Sequence, residues 1–563
     1  MSNSCLDTLP VEILYRIFDY LDIQIIVLSL RYVSKRFYLI TNSYNRYNFN
    51  FKSIAKPYFH FICQLIPFEN VISLTLSDED KTRGQIQLFL SLFNIEKFIR
   101  LESLTLLQIN EVHLNIFSNY VINSSLKTLS ISTQIVHTRE NTTPSLLSSA
   151  IAHHTLENLY LGIWTKDWNG IKWPINRTLH YIQIVNSITL KQFCIILQNS
   201  PNLRTLVLKE VDIYDNENDI YAVPFQQLTS LLFENGLLEF NMLEVCLSLT
   251  PSLIYLKLTG TGSLFSSSFD GFQLERIIRK LDSLKKFEFF LHILTYNNFR
   301  SRNVELLMNS FRTSFWIDNM NCFITCDYII NSHKLMLYTL PICSTRFAYH
   351  TDLKKISSSN FTIRINENDM DKVEKLQLQL TKDLDSLSKE QNESSNHILF
   401  RNVTNLTIDN TSEWPRNSLQ FLSTILDLSH ITILSLSVNF IPEHMLNTVA
   451  NINILLSKAS NLHSLLLYDY WTPDNCMKRM KTICSIISSN IKYLKIRVKN
   501  LDDIKYILEH VDHLTSVTFE YAQILTINHE EFIQSLTCLE RYCSLWDSQY
   551  TLHVWLGNKK QIS

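Results

Sequence analysis

The chain has 563 residues, with 51 Lys and Arg against 53 Asp and Glu, so its formal charge is only −2. This near-balance gives no overall field that would attract nucleic acid or an anionic membrane, and neither is expected as a partner. Hydrophobic residues make up 46% of the chain, which is enough for a large buried core and argues against a disordered scaffold.

The N-terminal fifty residues predict three short helices. In the first, Pro10 suits an opening helical turn and Glu12 faces the positive end of the helix dipole. An apolar stripe follows at i, i+3, i+4 and i+7, formed by Leu14, Ile17, Phe18 and Leu21. Two further apolar helices are predicted at 23–34 and 35–44. So small a unit cannot bury this much apolar surface alone, and we expect a partner to cover part of it.

The order and spacing of these residues resemble the F-box family, whose pattern begins Leu-Pro-x-Glu and ends Val-(Cys/Ser)-(Lys/Arg)-x-(Trp/Phe). The matching residues are Leu9, Pro10, Glu12, Ile13, Ile17, Phe18 and Leu21 in the first half, and Val33, Ser34, Arg36 and Phe37 in the second. Phe37 stands where the family commonly has Trp, which keeps an aromatic ring but loses the indole N–H.

The resemblance implies that the N-terminal helices bind a Skp-type adaptor and, through it, a cullin scaffold. The residues expected to contact the adaptor are Leu9, Pro10, Ile13, Ile17, Phe18, Leu21, Val33 and Phe37. An alternative stays open, in which the same helices only cap the end of the structure that follows them.

A six-residue pattern, apolar-x-x-apolar-x-apolar, recurs through the rest of the chain. It starts at Val71, Leu101, Leu126, Leu156, Leu179, Leu203, Leu228, Leu253, Leu284, Val373, Val403, Ile431, Leu462, Ile491 and Leu514. The last two apolar positions are two residues apart and therefore face one side of a strand. Segments with helical spacing lie between the strands, as at 190–202. One strand and one helix cannot bury their apolar faces alone, so the units must stack side by side.

This arrangement resembles the leucine-rich repeat family, although the usual Asn or Cys after the third apolar position is mostly missing. The expected fold class is α/β: a small three-helix F-box followed by a curved leucine-rich-repeat solenoid with a parallel sheet, interrupted by an antiparallel strand insert. We expect solvent-facing strand positions to line its concave surface: Thr105, Tyr160, Val207, Lys257 and Lys495.

The insert is predicted where the pattern stops, between the motifs at 284 and 373. Four side chains alternate on one face of a strand there, namely Cys322, Ile324, Cys326 and Tyr328. Turn-forming residues at 331–332 separate this run from a second β-rich run, so residues near 311–341 predict an antiparallel meander. The meander either leaves a notch for a substrate or acts as a plug that buries apolar edges.

These patterns divide the chain into five parts. Residues 1–50 are the F-box, 51–70 a connecting segment, and 71–300 the first repeat block. Residues 301–372 form the insert, and 373–563 the second repeat block with a C-terminal cap.

The sequence contains no motif of an enzyme or a metal site. Only eight glycines occur, and GxGxxG, GxxxxGK[ST], GxSxG and HExxH are all absent. The eleven cysteines are scattered without a CxxC pair, which favours buried thiols in a reducing compartment over zinc ligands. We expect a protein that is not an enzyme and holds no cofactor or metal.

Three tryptophans in one predicted loop are candidates for a partner surface: Trp164, Trp168 and Trp173. Exposed tryptophan is enriched at binding hot spots, but the alternative that these rings cover the core of their own loop stays open.

Together, the two resemblances imply a non-catalytic substrate receptor of an SCF-type ubiquitin ligase, with the repeats binding an unknown target protein. A leucine-rich-repeat interaction scaffold with an F-box-like cap is the alternative. Residues 1–10 lack the features of a secretory signal, and no run of about eighteen apolar residues occurs. We therefore expect an intracellular protein of the cytoplasm, the nucleus or both.

Overall fold

The computed structural model describes the chain in segments. These are residues 6–65, 68–133, 142–162, 170–185, 187–210, 213–214, 223–236, 240–261, 270–294, 301–350, 355–361, 367–380, 398–410, 414–415, 417–438, 445–469, 476–521, 541–548 and 551–559.

The described residues form twenty-four strands. They are β1 (Tyr47–Asn50), β2 (Val71–Ser77), β3 (Ser103–Ile109), β4 (Thr128–Thr133), β5 (Asn158–Gly162), β6 (Tyr181–Val185), β7 (Ile188–Thr189), β8 (Thr205–Lys209), β9 (Ile213–Tyr214), β10 (Ser230–Glu234), β11 (Tyr255–Thr261), β12 (Lys286–Leu294), β13 (Phe323–Ile329), β14 (Lys334–Leu340), β15 (Arg346–His350), β16 (Lys355–Ser359), β17 (Lys375–Gln379), β18 (Asn405–Asn410), β19 (Ile433–Val438), β20 (Ser464–Asp469), β21 (Tyr493–Val498), β22 (Ser516–Tyr521), β23 (Arg541–Ser548) and β24 (Thr551–Lys559).

Helices open the chain and then alternate with the strands. The α-helices are α1 (Val11–Phe18), α2 (Lys35–Ser43), α3 (Lys56–Leu65), α4 (Gln85–Leu92), α5 (Glu111–Asn123), α6 (Thr142–Ile151), α7 (Leu190–Asn199), α8 (Phe240–Leu249), α9 (Gly271–Ile278), α10 (Ser301–Asn309), α11 (Ser418–Ile425), α12 (Met445–Lys458), α13 (Cys476–Ile486) and α14 (Leu501–His510). Short 3₁₀ or π turns lie at Leu6–Thr8, Ile25–Ser29, Leu30–Tyr32, Phe68–Asn70, Asp80–Thr82, Ile95–Lys97, Phe315–Asn319, Glu367–Met370 and Leu428–His430.

The strands form two large sheets that are mostly parallel. The first sheet has the order β1-β2-β3-β4-β5-β6-β8-β10-β11-β12-β14-β13-β16, and the second has the order β15-β17-β18-β19-β20-β21-β22-β24-β23. A separate short pair joins β7 to β9. The fold is therefore a mixed α/β structure with a helical N-terminal region, as the sequence predicts.

All fifteen repeated motifs contain a strand, and successive motif strands within each block pair in parallel. The apolar positions line up across the sheet, as in the direct register of Leu206 with Leu231 and of Leu231 with Leu256. These leucines are fully buried in one cluster with the helix residues Phe193 and Leu197. The predicted two-residue spacing of the apolar strand positions is confirmed, and the segment of helical spacing at 190–202 contains α7.

The meander is confirmed and joins the two sheets. Strand β14 pairs antiparallel with both β12 and β13, and β13 pairs antiparallel with β16. Ile324 and Tyr328 pack into the core of the first sheet, whereas Ile329 and Tyr338 pack into the core of the second. Because both faces of this hairpin are buried, the geometry favours the plug over the notch.

Two strands outside the predicted repeat blocks pair in parallel with strands of those blocks. β1 extends the first sheet by pairing in parallel with β2, although the sequence places it at the end of the F-box. β15 lies within the predicted insert but pairs in parallel with β17 and so begins the second sheet.

The C-terminal strands contact the N-terminal part of the chain. β24 pairs antiparallel with β22, and its Trp555 is buried in the core cluster of the first sheet. The Trp555 ring lies edge-on to Phe59 of α3, with 6.0 Å between ring centroids, and the Lys56 ammonium lies 5.6 Å from the same indole ring. The two ends of the described structure therefore meet.

Candidate functional site

The N-terminal helices form a small unit with its own apolar core. The core side chains are Leu14, Phe18, Ile23, Ile26, Val27, Phe37, Ile40 and Tyr44. α1 supplies the first two at i and i+4, and α2 supplies Phe37 and Ile40 at i and i+3, so each helix turns one apolar side inward. The core continues into the first sheet, so the unit also covers the end of that sheet.

Hydrogen bonds fix the start of α2 beside the residues before α1. The Arg36 guanidinium donates to the Leu9 carbonyl at 2.5 Å, and the Ser34 hydroxyl donates to the Asp7 carboxylate at 3.1 Å. Ser34 also caps α2, because its hydroxyl accepts a hydrogen bond from the Phe37 backbone N–H. The start of α2, with Val33 just before it, is thereby held beside residues 7–9.

A second contact anchors the end of this unit. The Tyr44 hydroxyl donates to the Asp19 carboxylate at 2.7 Å, and Arg46 lies 3.3 Å from the other carboxylate oxygen. Burial raises the pKa of Tyr44, and the hydrogen bond to Asp19 raises it further. The phenol therefore stays protonated as the donor that joins α1 to the end of α2.

The expected adaptor-contacting residues divide into surface and core positions. Pro10, Ile13 and Val33 are exposed, and Leu9, Ile17 and Leu21 are half-buried. Phe18 and Phe37 are only 2% and 3% exposed. The structure therefore corrects the prediction that these two rings contact the adaptor directly. Both are buried in the core of the N-terminal unit, beneath the exposed residues.

An apolar groove lies between the N-terminal unit and α3. Its volume is about 750 Å³, and it is lined by Gln24, Ile25, Leu28, Ser29, Tyr32, Pro57, Tyr58 and Phe61. Tyr32 and Tyr58 are exposed there. The groove was not predicted from the sequence, because it needs residues of the connecting segment 51–70 to fold as a helix beside the unit.

The tryptophan candidates do not form a described surface. Trp173 is buried in the core of the first sheet, and its indole N–H donates to the Ser200 hydroxyl at 3.2 Å. The expectation of an exposed hot spot is therefore wrong for Trp173. Trp164 and Trp168 lie outside the described residues.

The face of the first sheet opposite its core is less exposed than expected. Thr105, Tyr160 and Lys257 are half-buried, as is Lys495 in the second sheet. Val207 is fully buried, which corrects its assignment as a solvent-facing residue. Because side chains alternate along β8, Val207 lies on the face of the sheet opposite Leu206 and Leu208.

Two carboxylates on this opposite face, the half-buried Glu234 and the buried Glu288, are each held between two lysines. Glu234 lies 3.3 Å from the Lys209 ammonium and 2.7 Å from the Lys257 ammonium. Glu288 lies 3.1 Å from both Lys286 and Lys372. Burial alone would raise the pKa of each carboxyl. The lysines outweigh this effect at Glu234, and a hydrogen bond from the Tyr255 hydroxyl together with the lysines outweighs it at Glu288, so both pKa values lie below their ordinary range.

A second charged cluster joins the short turn at Asp80–Thr82 to the second sheet. The Asp80 carboxylate lies 3.5 Å from the Lys495 ammonium and 3.7 Å from the His553 ring nitrogen. The Lys81 ammonium donates to the Ser464 hydroxyl at 2.8 Å and lies 5.2 Å from the Tyr493 ring. The sequence could not reveal this contact, since almost four hundred residues separate Lys81 from Ser464.

Asp78, beside this cluster, makes a pH-dependent contribution to stability. Burial raises its pKa to about 6, although its carboxylate accepts a hydrogen bond from the Ile86 N–H at 2.9 Å. Because the folded-state pKa exceeds the unfolded value, ionisation costs stability as the pH rises through about 6.

We expect Asp78→Asn to remove this cost while keeping the acceptor for Ile86. The free energy of unfolding of the variant should rise relative to the original protein by up to about 3 kcal/mol between pH 4 and pH 7. Urea unfolding at the two pH values measures this difference, and the exposed Asp282→Asn controls for loss of one charge. If Asp78→Asn raises the free energy of unfolding equally at both pH values, Asp78 does not have the raised pKa on which this prediction rests.

The described residues give no sign of a metal site or a reactive thiol. No group of three or more His, Cys, Asp or Glu side chains among them could hold a metal ion. Burial raises the pKa of Cys194, Cys322 and Cys343 to about 12, which keeps these thiols protonated and unreactive. None of the described helices is both long and apolar enough to cross a membrane.

Comparison with known families supports the interpretation of the N-terminal unit. Residues 6–48 match the family model named F-box-like. These residues include α1, α2 and the start of β1, so the match coincides with the helical unit and its surface. The chain therefore carries an F-box-like domain, and F-box domains generally bind Skp-type adaptors. No curated protein matches the chain.

Proposed function

We propose that the protein is a non-catalytic substrate receptor of an SCF-type ubiquitin ligase. In this role the F-box-like domain binds a Skp-type adaptor, and through it a cullin scaffold, inside the cell. The two sheets, which we take to be a degenerate leucine-rich-repeat solenoid, bind the target protein. The receptor itself carries out no chemical step and needs no cofactor.

The observation that carries the proposal is the apolar surface of the F-box-like domain. Ile13 and Val33 are 41% and 65% exposed, and the hydrogen bonds from Arg36 and Ser34 hold their segments side by side. Apolar side chains clustered on so small a domain are typical of a protein-binding surface.

The test is binding of the purified full-length chain to a Skp-type adaptor by calorimetry. We expect Ile13→Asp with Val33→Asp to weaken adaptor binding by at least about 100-fold, since two carboxylates would be buried without partners. Both positions are on the surface, so the thermal unfolding midpoint should change little.

The matched control is Ile99→Asp with Val112→Asp, which adds the same charges at positions that are 73% and 67% exposed outside the domain. This pair should bind the adaptor as the original chain does. The proposal fails if the original chain does not bind the adaptor, or if both pairs weaken binding equally.

A second function is favoured by the contact between the domain and the first sheet. Aromatic rings run from Tyr44 through Tyr47, Phe49 and Phe51 to Phe59, with 4.9–6.4 Å between successive centroids. This continuous packing is what an end cap of an interaction scaffold requires. A well-folded chain that does not bind the adaptor would favour this alternative.

A further inference from the structure

A continuous patch crosses six neighbouring strands on the face of the first sheet opposite its core. The parallel register places its residues in three rows from β5 to β12. The middle row is Tyr160, Gln183, Val207, Leu232, Lys257 and Glu288, and the rows beside it contribute Tyr181, Lys209, Glu234, Tyr255 and Lys286. We call this surface, together with Lys372, the lysine patch.

The lysine patch has a positive charge on a chain that is slightly negative overall. Four lysines face two glutamates, so the surplus is two positive charges, whereas the whole chain has a formal charge of −2. Each glutamate is shared by two ammonium groups, and the Tyr255 hydroxyl also donates to Glu288 at 2.6 Å. Each lysine ammonium has three N–H donors, so a lysine that is paired with one of these glutamates can still donate a hydrogen bond to a bound ligand.

The exposed lysines lie at the rim of the patch. The side chains of Lys209, Lys286 and Lys372 are 36%, 56% and 48% exposed, whereas that of Lys257 is 13% exposed. Between them lies a floor that is partly apolar, where Leu232 is half-buried and the half-buried rings of Tyr160 and Tyr181 lie tilted to each other with 5.0 Å between their centroids. Charge at the rim and an apolar floor are features of a peptide-binding surface.

The dimensions suit an extended peptide. Six strands at the usual spacing span about 24 Å, and three rows along the strands span about 14 Å. An extended segment of about seven residues covers the longer dimension.

We propose that the lysine patch binds an extended, glutamate- and aspartate-rich segment of the target protein, with an apolar side chain seated on the floor. The identification of this segment as part of a ligase target rests on the proposed function, whereas the binding chemistry does not. Lys209 and Lys286, at opposite ends of the charged part of the patch, pair with carboxylates of the bound segment.

Carboxylates fit better than phosphate groups or a nucleic acid. Phosphate recognition favours the arginine fork, and the charged groups of this patch are separate lysines.

The test uses the full-length chain and a fluorescent eight-residue peptide of glutamates with one central leucine. We expect the peptide to bind more tightly than its glutamine counterpart, and its binding to weaken between about 0.05 M and about 0.5 M salt. Lys209→Gln with Lys286→Gln removes the surplus charge and leaves each glutamate one lysine. We expect this pair to weaken binding about tenfold.

The control pair is Lys191→Gln with Lys285→Gln, which removes the same charge from exposed positions, one of them adjacent to Lys286. It should change peptide binding less than about twofold. Lys286→Gln alone provides a second variant at the most exposed lysine of the patch, and it should weaken binding by an intermediate factor.

Three results would overturn the inference. They are equal binding of the glutamate and glutamine peptides, equal weakening by the two lysine pairs, and tighter binding of a phosphoserine peptide or an oligothymidylate of the same length. Adaptor affinity, measured on the same samples, separates the two proposals. Peptide binding without adaptor binding removes the ligase role alone, and adaptor binding without selective peptide binding removes the lysine patch alone.

Discussion

Trp555→Ala is expected to lower the free energy of unfolding by about 3–5 kcal/mol, because it empties a large buried site between the two ends of the structure. The indole is 1% exposed and packs against Phe59 and the Lys56 side chain of α3. Its loss should also loosen α3. Backbone amides at 56–65 should therefore exchange with solvent faster in the variant, and hydrogen exchange measures this directly.

Trp414→Ala supplies the matched control for this prediction. Trp414 is also 1% exposed, but it lies in the core cluster of the second sheet. We expect a similar loss of stability, with the protection of α3 retained under native conditions. If Trp555→Ala leaves the exchange of α3 unchanged, the contact between the chain ends does not hold that helix.

The meeting of the two ends matters for the proposed receptor. α3 forms one side of the groove beside the F-box-like domain and also contacts β24. Asp80 adds a charged contact from the first sheet to Lys495 and His553. A target bound to the sheets would therefore be held in a fixed position relative to the adaptor, as transfer of ubiquitin to a substrate requires.

The local patterns of the sequence predict the strands well. Each motif keeps two apolar residues two positions apart, and this spacing alone puts residues such as Leu206 and Leu208 on the same buried face. Pairing between successive motifs follows, because units joined by a crossover helix align in parallel. The division into two sheets also follows a visible interruption of the pattern near the meander.

The burial of an apolar side chain is harder to predict, because the residue can pack either into the core of its own domain or against a binding partner. The stripe of α1 shows that Phe18 is apolar, but the same stripe serves a core or a binding surface. Only the packing of the helices in the folded domain shows that Phe18 and Phe37 lie in its core and not on its binding surface. Contacts between distant segments, such as Phe59 with Trp555, have no sequence pattern because nothing local requires them.

Asp327 at the junction of the two sheets is the other residue whose loss should be severe. Its carboxylate accepts hydrogen bonds from the Tyr338 hydroxyl at 2.9 Å and the Ser357 hydroxyl at 2.7 Å, and it pairs with the Lys355 ammonium at 2.9 Å. Asp327 itself is buried. Three strands of the meander, β13, β14 and β16, therefore meet at one carboxylate.

We expect Asp327→Ala to lower the free energy of unfolding by about 3–5 kcal/mol, because it leaves a buried phenol and a lysine charge without their partner. Asp327→Asn keeps an acceptor and should cost less, about 1–2 kcal/mol. The exposed Asp318→Ala, nearby in the chain, should have little effect. Urea unfolding of the three variants ranks these effects.

The same measurement shows whether the meander holds the sheets together. Tyr338 belongs to the core of the second sheet, whereas Tyr328 on the partner strand belongs to the core of the first, so the hairpin contributes to both. Loosening it through Asp327→Ala should separate unfolding into two transitions, as expected for two cores that are no longer coupled. A single transition with unchanged midpoint would show instead that the Asp327 network adds nothing to the coupling, and that the apolar faces of β13 and β14 provide it alone.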